Sequence, residues 1–246
     1  MRKLYYFVLS LFRINEILDN QKRIICQNQT QVEILKAITF NNTIADSEWL
    51  KNKSFSPGGW AADYGLLYTL YRVLNGIKPN LIIEFGLGQS SKIIHQYANY
   101  YKVDAVTCEH DEQWIKFFNE GKEGQYDVNV KKCDLETITY KGYETLTYKD
   151  INNSFGNQKF ELILVDGPFG SDHYSRSQII ELAKHNLSDS FCIIIDDTER
   201  IGEQETVNEV LDVLKMKGID YCSCVYSSTK NHTLICSSDY KFLTSM

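Results

Sequence analysis

The sequence has no excess of positive charge. Thirty-two aspartates and glutamates outnumber 26 lysines and arginines, giving a net charge of −6 and an isoelectric point near 5.4. Nucleic-acid binding ordinarily needs a basic face, so this balance speaks against such a partner. Long apolar runs are also missing. The longest, within Met1–Phe12, is too short to cross a bilayer and is followed at once by Arg13, Asn15 and Glu16. Seven cysteines include no C-x-x-C pair, which removes a zinc ribbon. Six of them lie in or beside apolar, strand-like runs, as reduced thiols of a cytoplasmic protein do. No internal repeat and no low-complexity tract occurs, and the prolines number three. What is present, 43% hydrophobic and 24% charged residues over 246 positions, suffices for one large α/β domain with extra elements.

The expected division is a helical N-terminal segment over 1–55 and a main domain over 56–246. Residues 4–18 read as an amphipathic helix, placed to pack on the body, to pair in a homodimer, or to lie on a membrane surface. Residues 41–59 read as a polar connection ending in Ser56-Pro57-Gly58-Gly59. A helix follows to Leu74 and is stopped by Asn75-Gly76 and Pro79. From residue 80 strands and helices alternate, as βαβ units do. Strands are expected at 81–86, 104–109, 128–133, 160–165 and 191–195. Helices are expected near 90–101, 111–120, 175–186 and 203–217, and residues 135–157 as an irregular helix or loop. Two last runs, Tyr221 to Tyr226 and His232 to Cys236, flank a hairpin-sized polar turn. The continuous apolar strands predict a Rossmann-like, doubly wound, mostly parallel sheet of seven strands with an antiparallel terminal hairpin.

In such a sheet ligands bind beyond the carboxyl ends of the strands. An acid stands at every one: Glu84 with Gly86 and Gly88, Glu109 with His110, Asp134, Asp166, and the pair Asp196-Asp197. Carboxylates gathered at one rim are costly unless they bind something. The run Leu81 to Ser91 reads as strand, tight turn and helix start, and its glycines allow close approach to a cofactor. Glu109 follows Gly88 by 21 residues, near the spacing at which an acid reaches a ribose hydroxyl pair. Asp134 has the chemistry to accept a hydrogen bond from an adenine amine.

This layout resembles the class I S-adenosylmethionine-dependent methyltransferases over residues 56–238. Their acid-x-Gly-x-Gly motif corresponds to Glu84-Phe85-Gly86-Leu87-Gly88, and Ser90 stands where many members have a third glycine. The resemblance implies that the glycine turn contacts the amino-acid part of the cofactor and that Glu109 binds its ribose. It places His110 on the adenosine side. Trp60, with Ser56 to Gly59, would fold over the cofactor. The acids Asp166, Asp196 and Asp197 are similar to those of cation-dependent O-methyltransferases of the catechol and macrocin types. That implies an Mg²⁺ that would lower the pKa of a substrate hydroxyl. The catechol type has a lysine three residues after its first aspartate, where this chain has Phe169. His173 is then the alternative general base beside Asp166. Tyr174 and Arg176 are the substrate contacts, the arginine suited to an acidic group. A short similarity to polysaccharide methyltransferases acting on uronic acids runs from Val165 to Gly170 and continues at Ser175-Arg176.

The leading expectation is therefore O-methylation of a hydroxyl on a sugar, glycan or other small molecule. Two other readings compete. A nicotinamide oxidoreductase is suggested by Gly86-x-Gly88 and Glu109, but dehydrogenases prefer an apolar residue at the place of Glu84. A non-enzymatic assembly module with a degenerate cofactor fold is suggested by the N-terminal helix.

Overall fold

The computed structural model describes residues 2–11, 13–59, 61–121 and 126–246, with the side chains at 11 and 152 set aside. Two helices open the chain, α1 (Arg2–Leu11) and α2 (Ile14–Ile44), followed by α3 (Tyr64–Ile77). The alternating part runs β1 (Leu81–Phe85), α4 (Gln89–Tyr101), β2 (Asp104–Glu109), α5 (Glu112–Gly121) and β3 (Val130–Lys132). Then come β4 (Leu135–Tyr140), β5 (Tyr143–Tyr148), α6 (Ile151–Phe155), β6 (Phe160–Val165) and α7 (Gln178–His185). The chain closes with β7 (Leu187–Ile195), α8 (Ile201–Met216), β8 (Tyr221–Ser227), β9 (Asn231–Ser237) and a 3₁₀ segment, Ser238–Ser245.

The main sheet has seven strands in the order β3-β2-β1-β6-β7-β9-β8. The first five are parallel, and β9 runs antiparallel to both β7 and β8. Both faces are covered, which is why the strands are apolar at nearly every position. Alternate residues serve opposite cores. Ile82, Leu162, Leu164, Cys192, Ile194 and Leu234 pack with α3 and α4. Ile83, Phe85, Ile163, Val165, Ile193 and Ile195 pack with α7 and α8.

The first core also takes Phe40, Ile44, Trp49 and Leu50 from the N-terminal segment. Trp49 stacks on Tyr71 with ring centroids 5.0 Å apart and donates its Nε1 to Asn75 Oδ1 at 3.1 Å. The expected polar connection therefore still contains helix to Ile44 and two buried apolar anchors. Ahead of Phe40, α2 exposes Ile17, Leu18, Ile24, Ile25, Val32, Leu35 and Ile38, and α1 exposes Leu4 to Val8.

Residues 135–157 depart from expectation. They form an antiparallel pair, β4 with β5, in a sheet of their own, before the short α6. Lys141 and Gly142 both have positive φ, 49° and 88°, the backbone a two-residue hairpin turn demands. The α7 helix starts at Gln178 instead of near 175, because Tyr174 and Arg176 adopt left-handed φ of 46° and 59°.

Candidate active site

A cleft of about 530 Å³ opens beyond the carboxyl ends of β1, β2 and β6, where the chain turns to opposite sides of the sheet. This is the volume and position of a small-molecule site. Its floor is the turn after β1. Gly86 has φ of +96°, and a Cβ there would lie 2.8 Å from the carbonyl oxygen of Asp166. Across from it a Cβ on Gly167 would lie 2.9 Å from the Gly86 Cα. The two loops approach so closely because neither residue has a side chain.

Glu84 does not reach this cleft. It is fully buried beneath the turn, where hydroxyls of Ser90, Ser91 and Thr107 donate to its oxygens at 2.6 Å each. Burial pushes its pKa up to about 7 despite those three donors. Expected as cofactor contacts, Glu84 and Ser90 instead brace the turn from below. Ser91 adds a second strut by accepting from the Gly88 N–H at 2.9 Å.

Glu109 sits on the β2 side of the cleft, 5% exposed. Its Oε2 accepts from Leu87 N at 3.0 Å, and its Oε1 accepts from His110 N and Asp111 N at 2.7 and 2.9 Å. A carboxylate has about four acceptor positions. Three amides fix this one and His110 Nδ1 lies 2.7 Å from Oε1, so the position open to a ligand hydroxyl is on Oε2, which accepts only from Leu87 N. His110 and Trp114 flank it, and the Trp114 indole donates to Leu87 O at 2.7 Å. The opposite wall comes from Ser56, Gly58, Gly59, Ala61 and Ala62. That segment is fastened to α4, with Ser56 N donating to Gln89 Oε1 at 3.0 Å and Asn52 N to Gln96 Oε1 at 2.7 Å. Trp60 lies outside the described residues.

The far end of the cleft is ionic. Oxygens of Asp166, Asp196 and Asp197 all lie within 4.8 Å of one another, a donor set that a hard divalent cation would accept. Both carboxylate oxygens of Asp196 are buried and, among the described residues, have no hydrogen-bond partner. Three side-chain cations already stand at this cluster. Arg176 Nη2 is 2.6 Å from Asp197 Oδ2 and 3.5 Å from Asp166 Oδ1, and its Nη1 donates to Asp196 O at 3.0 Å. Lys230 Nζ is 3.3 Å from Asp197 Oδ1 and 3.9 Å from Asp196 Oδ2. Arg200 Nη1 is 3.2 Å from Asp197 Oδ2. Burial, reinforced by Asp197 and offset by Arg176, pushes Asp166 up to about 6. Burial and the two neighbouring aspartates push Asp196 well above the usual range. Burial would raise Asp197 as well, but Arg176, Lys230 and Arg200 hold it low.

The structure thus gathers Gly86, Gly88, Glu109, His110, Asp166, Arg176 and Asp197 around one cleft, with Asp196 directly beneath. It places others elsewhere. His173 pairs with Glu205 at 3.0 Å and packs on the Tyr143 ring, away from the cleft, so it faces no substrate there. Tyr174 is engaged with β4 and β5, its carbonyl accepting from Thr145 and its ring packing on Tyr140. Asp134 is exposed beside Lys132, one strand too far out to reach the cleft. Arg176, expected at an acidic substrate group, lines the cleft but is 3% exposed, and its Nη2 is already paired with Asp197.

Lys230 went unread in the sequence, where it is one polar residue in a polar turn. Its placement depends on a contact distant in sequence. Asp63, which caps α3 by accepting from Leu66 N at 2.8 Å, also accepts from Thr229 Oγ1 at 2.8 Å and Lys230 N at 3.1 Å. The β8–β9 turn is thereby clamped against α3, and Lys230 Nζ donates to Ala61 O at 3.2 Å.

No family model matches the chain, and no curated protein matches it. Solved structures do. A precorrin-6y C5,15-methyltransferase from Geobacter metallireducens is 10% identical, with a TM-score of 0.49 over 75% of this chain and 94% of that one. An SAH-bound methyltransferase from Podospora anserina is 14% identical, with a TM-score of 0.49 over 90% and 96%. A methyltransferase from Pyrococcus furiosus is 15% identical, with a TM-score of 0.47 over 85% and 97%. In strand order and reversed terminal hairpin, the chain has a Rossmann-like, doubly wound fold.

Proposed function

We propose that the protein is an S-adenosylmethionine-dependent methyltransferase acting on a hydroxyl of a sugar, glycan or other small molecule. The observation that carries this reading is the cleft at the sheet's switch point, with a bare glycine turn on its floor and the Glu109 carboxylate fixed on one wall by three amides. The turn at Gly86–Gly88 holds the amino-acid end of the cofactor, Glu109 takes a ribose hydroxyl, and His110 with Trp114 bounds the base. The acceptor enters past Phe169 and Arg200. Sulfonium chemistry supplies an activated methyl, and positioning does most of the rest. The acceptor oxygen bonds the methyl carbon as the sulfur–methyl bond breaks. The hydroxyl proton passes to Asp166, the one of the two expected catalytic groups that lines the cleft.

Calorimetric titration with S-adenosylhomocysteine tests this. One-to-one micromolar binding, weakened at least tenfold in Glu109→Ala, is the expected result. No binding at millimolar ligand sinks the reading, and enhanced NADH fluorescence in its place would point to the oxidoreductase.

The exposed apolar positions of α2 suggest a partner for that helix. Leu18, Ile25 and Val32 recur at seven-residue spacing, with Ile17 and Ile24 beside them. A second copy of the same helix covers such a seam, so a homodimer through α2 belongs to the proposal.

A further inference from the structure

The acid cluster has the composition of a divalent-metal site but not its electrostatic vacancy. Asp166, Asp196, Asp197 and Glu203 bring four carboxyl groups, and Arg176, Arg200 and Lys230 bring three positive charges. Arg176 is more than nine-tenths buried and touches three of the four acids. Lys230 approaches from the other side and touches the aspartate that Arg176 does not pair through its side chain, Asp196. A divalent ion placed among these oxygens would face two fixed cations within a few ångströms, in surroundings largely closed to water.

We propose that Arg176 and Lys230 are tethered cations that take the place of a divalent metal at this cluster, so that acceptor chemistry here proceeds without one. Two features mark the arrangement as built. Both members of the 2.6 Å Arg176–Asp197 pair hold left-handed backbone, φ 59° and 60°, a conformation that costs energy for side chains of this kind and persists where surroundings enforce it. Lys230 is delivered by a turn whose backbone and neighbouring hydroxyl are both gripped by Asp63. Arg176 fixes the geometry of the acids. Lys230, 15% exposed and on the cleft wall, is the positioning residue that presents positive charge where an acceptor oxygen would otherwise meet a metal.

The consequence for the acceptor rests on the methyltransferase reading, but the test of the cluster does not. The free Mn²⁺ signal in electron paramagnetic resonance is followed as full-length protein is added. Wild type should leave it unchanged at millimolar Mn²⁺, and EDTA should leave its affinity for S-adenosylhomocysteine unchanged. Lys230→Met removes the ammonium and keeps the stem. It should bind one Mn²⁺ at least tenfold more tightly than wild type, and adding Asp196→Asn should abolish that binding. Lys230→Gln gives the same comparison if the methionine variant folds poorly, with far-UV circular dichroism as the check. Stoichiometric Mn²⁺ binding by wild type, lost in Asp196→Asn, overturns the proposal. So does failure of both folded lysine variants to gain Mn²⁺. A protein that binds no S-adenosylhomocysteine but gains Mn²⁺ in Lys230→Met loses the methyltransferase reading and keeps this one.

Discussion

Gly86 and Gly88 stand two residues apart and answer to different constraints. At Gly86 the backbone is left-handed and a Cβ would strike the Asp166 carbonyl. Gly86→Ala should cost about 2 kcal/mol or more in urea unfolding, from the backbone penalty plus the contact. At Gly88 the backbone is extended, φ −166°, and among the described residues nothing lies within 4 Å of an added Cβ. Gly88→Ala should stay within about 0.5 kcal/mol of wild type in stability. It should still weaken S-adenosylhomocysteine binding about tenfold, since the methyl enters the cleft. Equal stability losses in the two variants would refute this split. Glu84 carries a pH signature. Its folded pKa of about 7 lies above the unfolded 4.5, so the folded state holds the proton more tightly. Its stabilising contribution is complete below about pH 4.5 and is lost as pH rises through 7, a change of roughly 2–4 kcal/mol. Glu84→Gln should flatten that part of the unfolding free energy between pH 4.5 and 8, and parallel curves for the two proteins would contradict the assignment. The sequence showed Glu84 as a motif acid. It could not show that three hydroxyls enclose it, because Thr107 comes from the next strand and only pairing brings it there.

Asp63 joins two elements that are far apart in sequence, capping α3 and holding the β8–β9 turn. Its two roles are separable. Asp63→Ala loses both and should destabilise by about 1–2 kcal/mol, whereas Asp63→Ser keeps a cap and should recover part of that. Urea midpoints of the two variants give the comparison, and identical losses would mean the cap contributes nothing. Elements with a continuous apolar run or a clean helical period were legible in the chain: five parallel strands, the terminal hairpin and α3, α4, α5 and α8. The β4–β5 pair was not, although Thr137-Ile138-Thr139-Tyr140 alternates and Lys141-Gly142 closes a turn. Its strands are half-exposed, so they lack the apolar run that marked the others. His173 was misjudged for a related reason. The hairpin supplies Tyr143, on which its ring packs, and without the hairpin that loop looked open to the cleft.

For the molecule as a whole, strand-end acids located the cleft because the doubly wound topology forces those ends to one rim. What escaped were contacts set by loops: the Lys230 approach, the pairing of Arg176 with Asp197, and the outward position of Asp134. The proposed dimer is tested at this scale. Light scattering should give twice the chain mass at micromolar concentration, and Ile25→Asp with Val32→Asp should return it to one chain while S-adenosylhomocysteine binding persists. A wild-type monomer at all concentrations removes the dimer, and capture on anionic vesicles would give α1 and α2 to a lipid surface instead. Helix α2 has 31 residues, so it is about 46 Å long, yet its buried positions, Phe40 and Ile44, lie at one end. If α1 docks on a surface, α2 would act as a spacer of set reach, and an acceptor anchored to the same surface would be met only within that radius. Lengthening α2 by two turns should leave turnover of a freely diffusing acceptor untouched and change only what an anchored one can present.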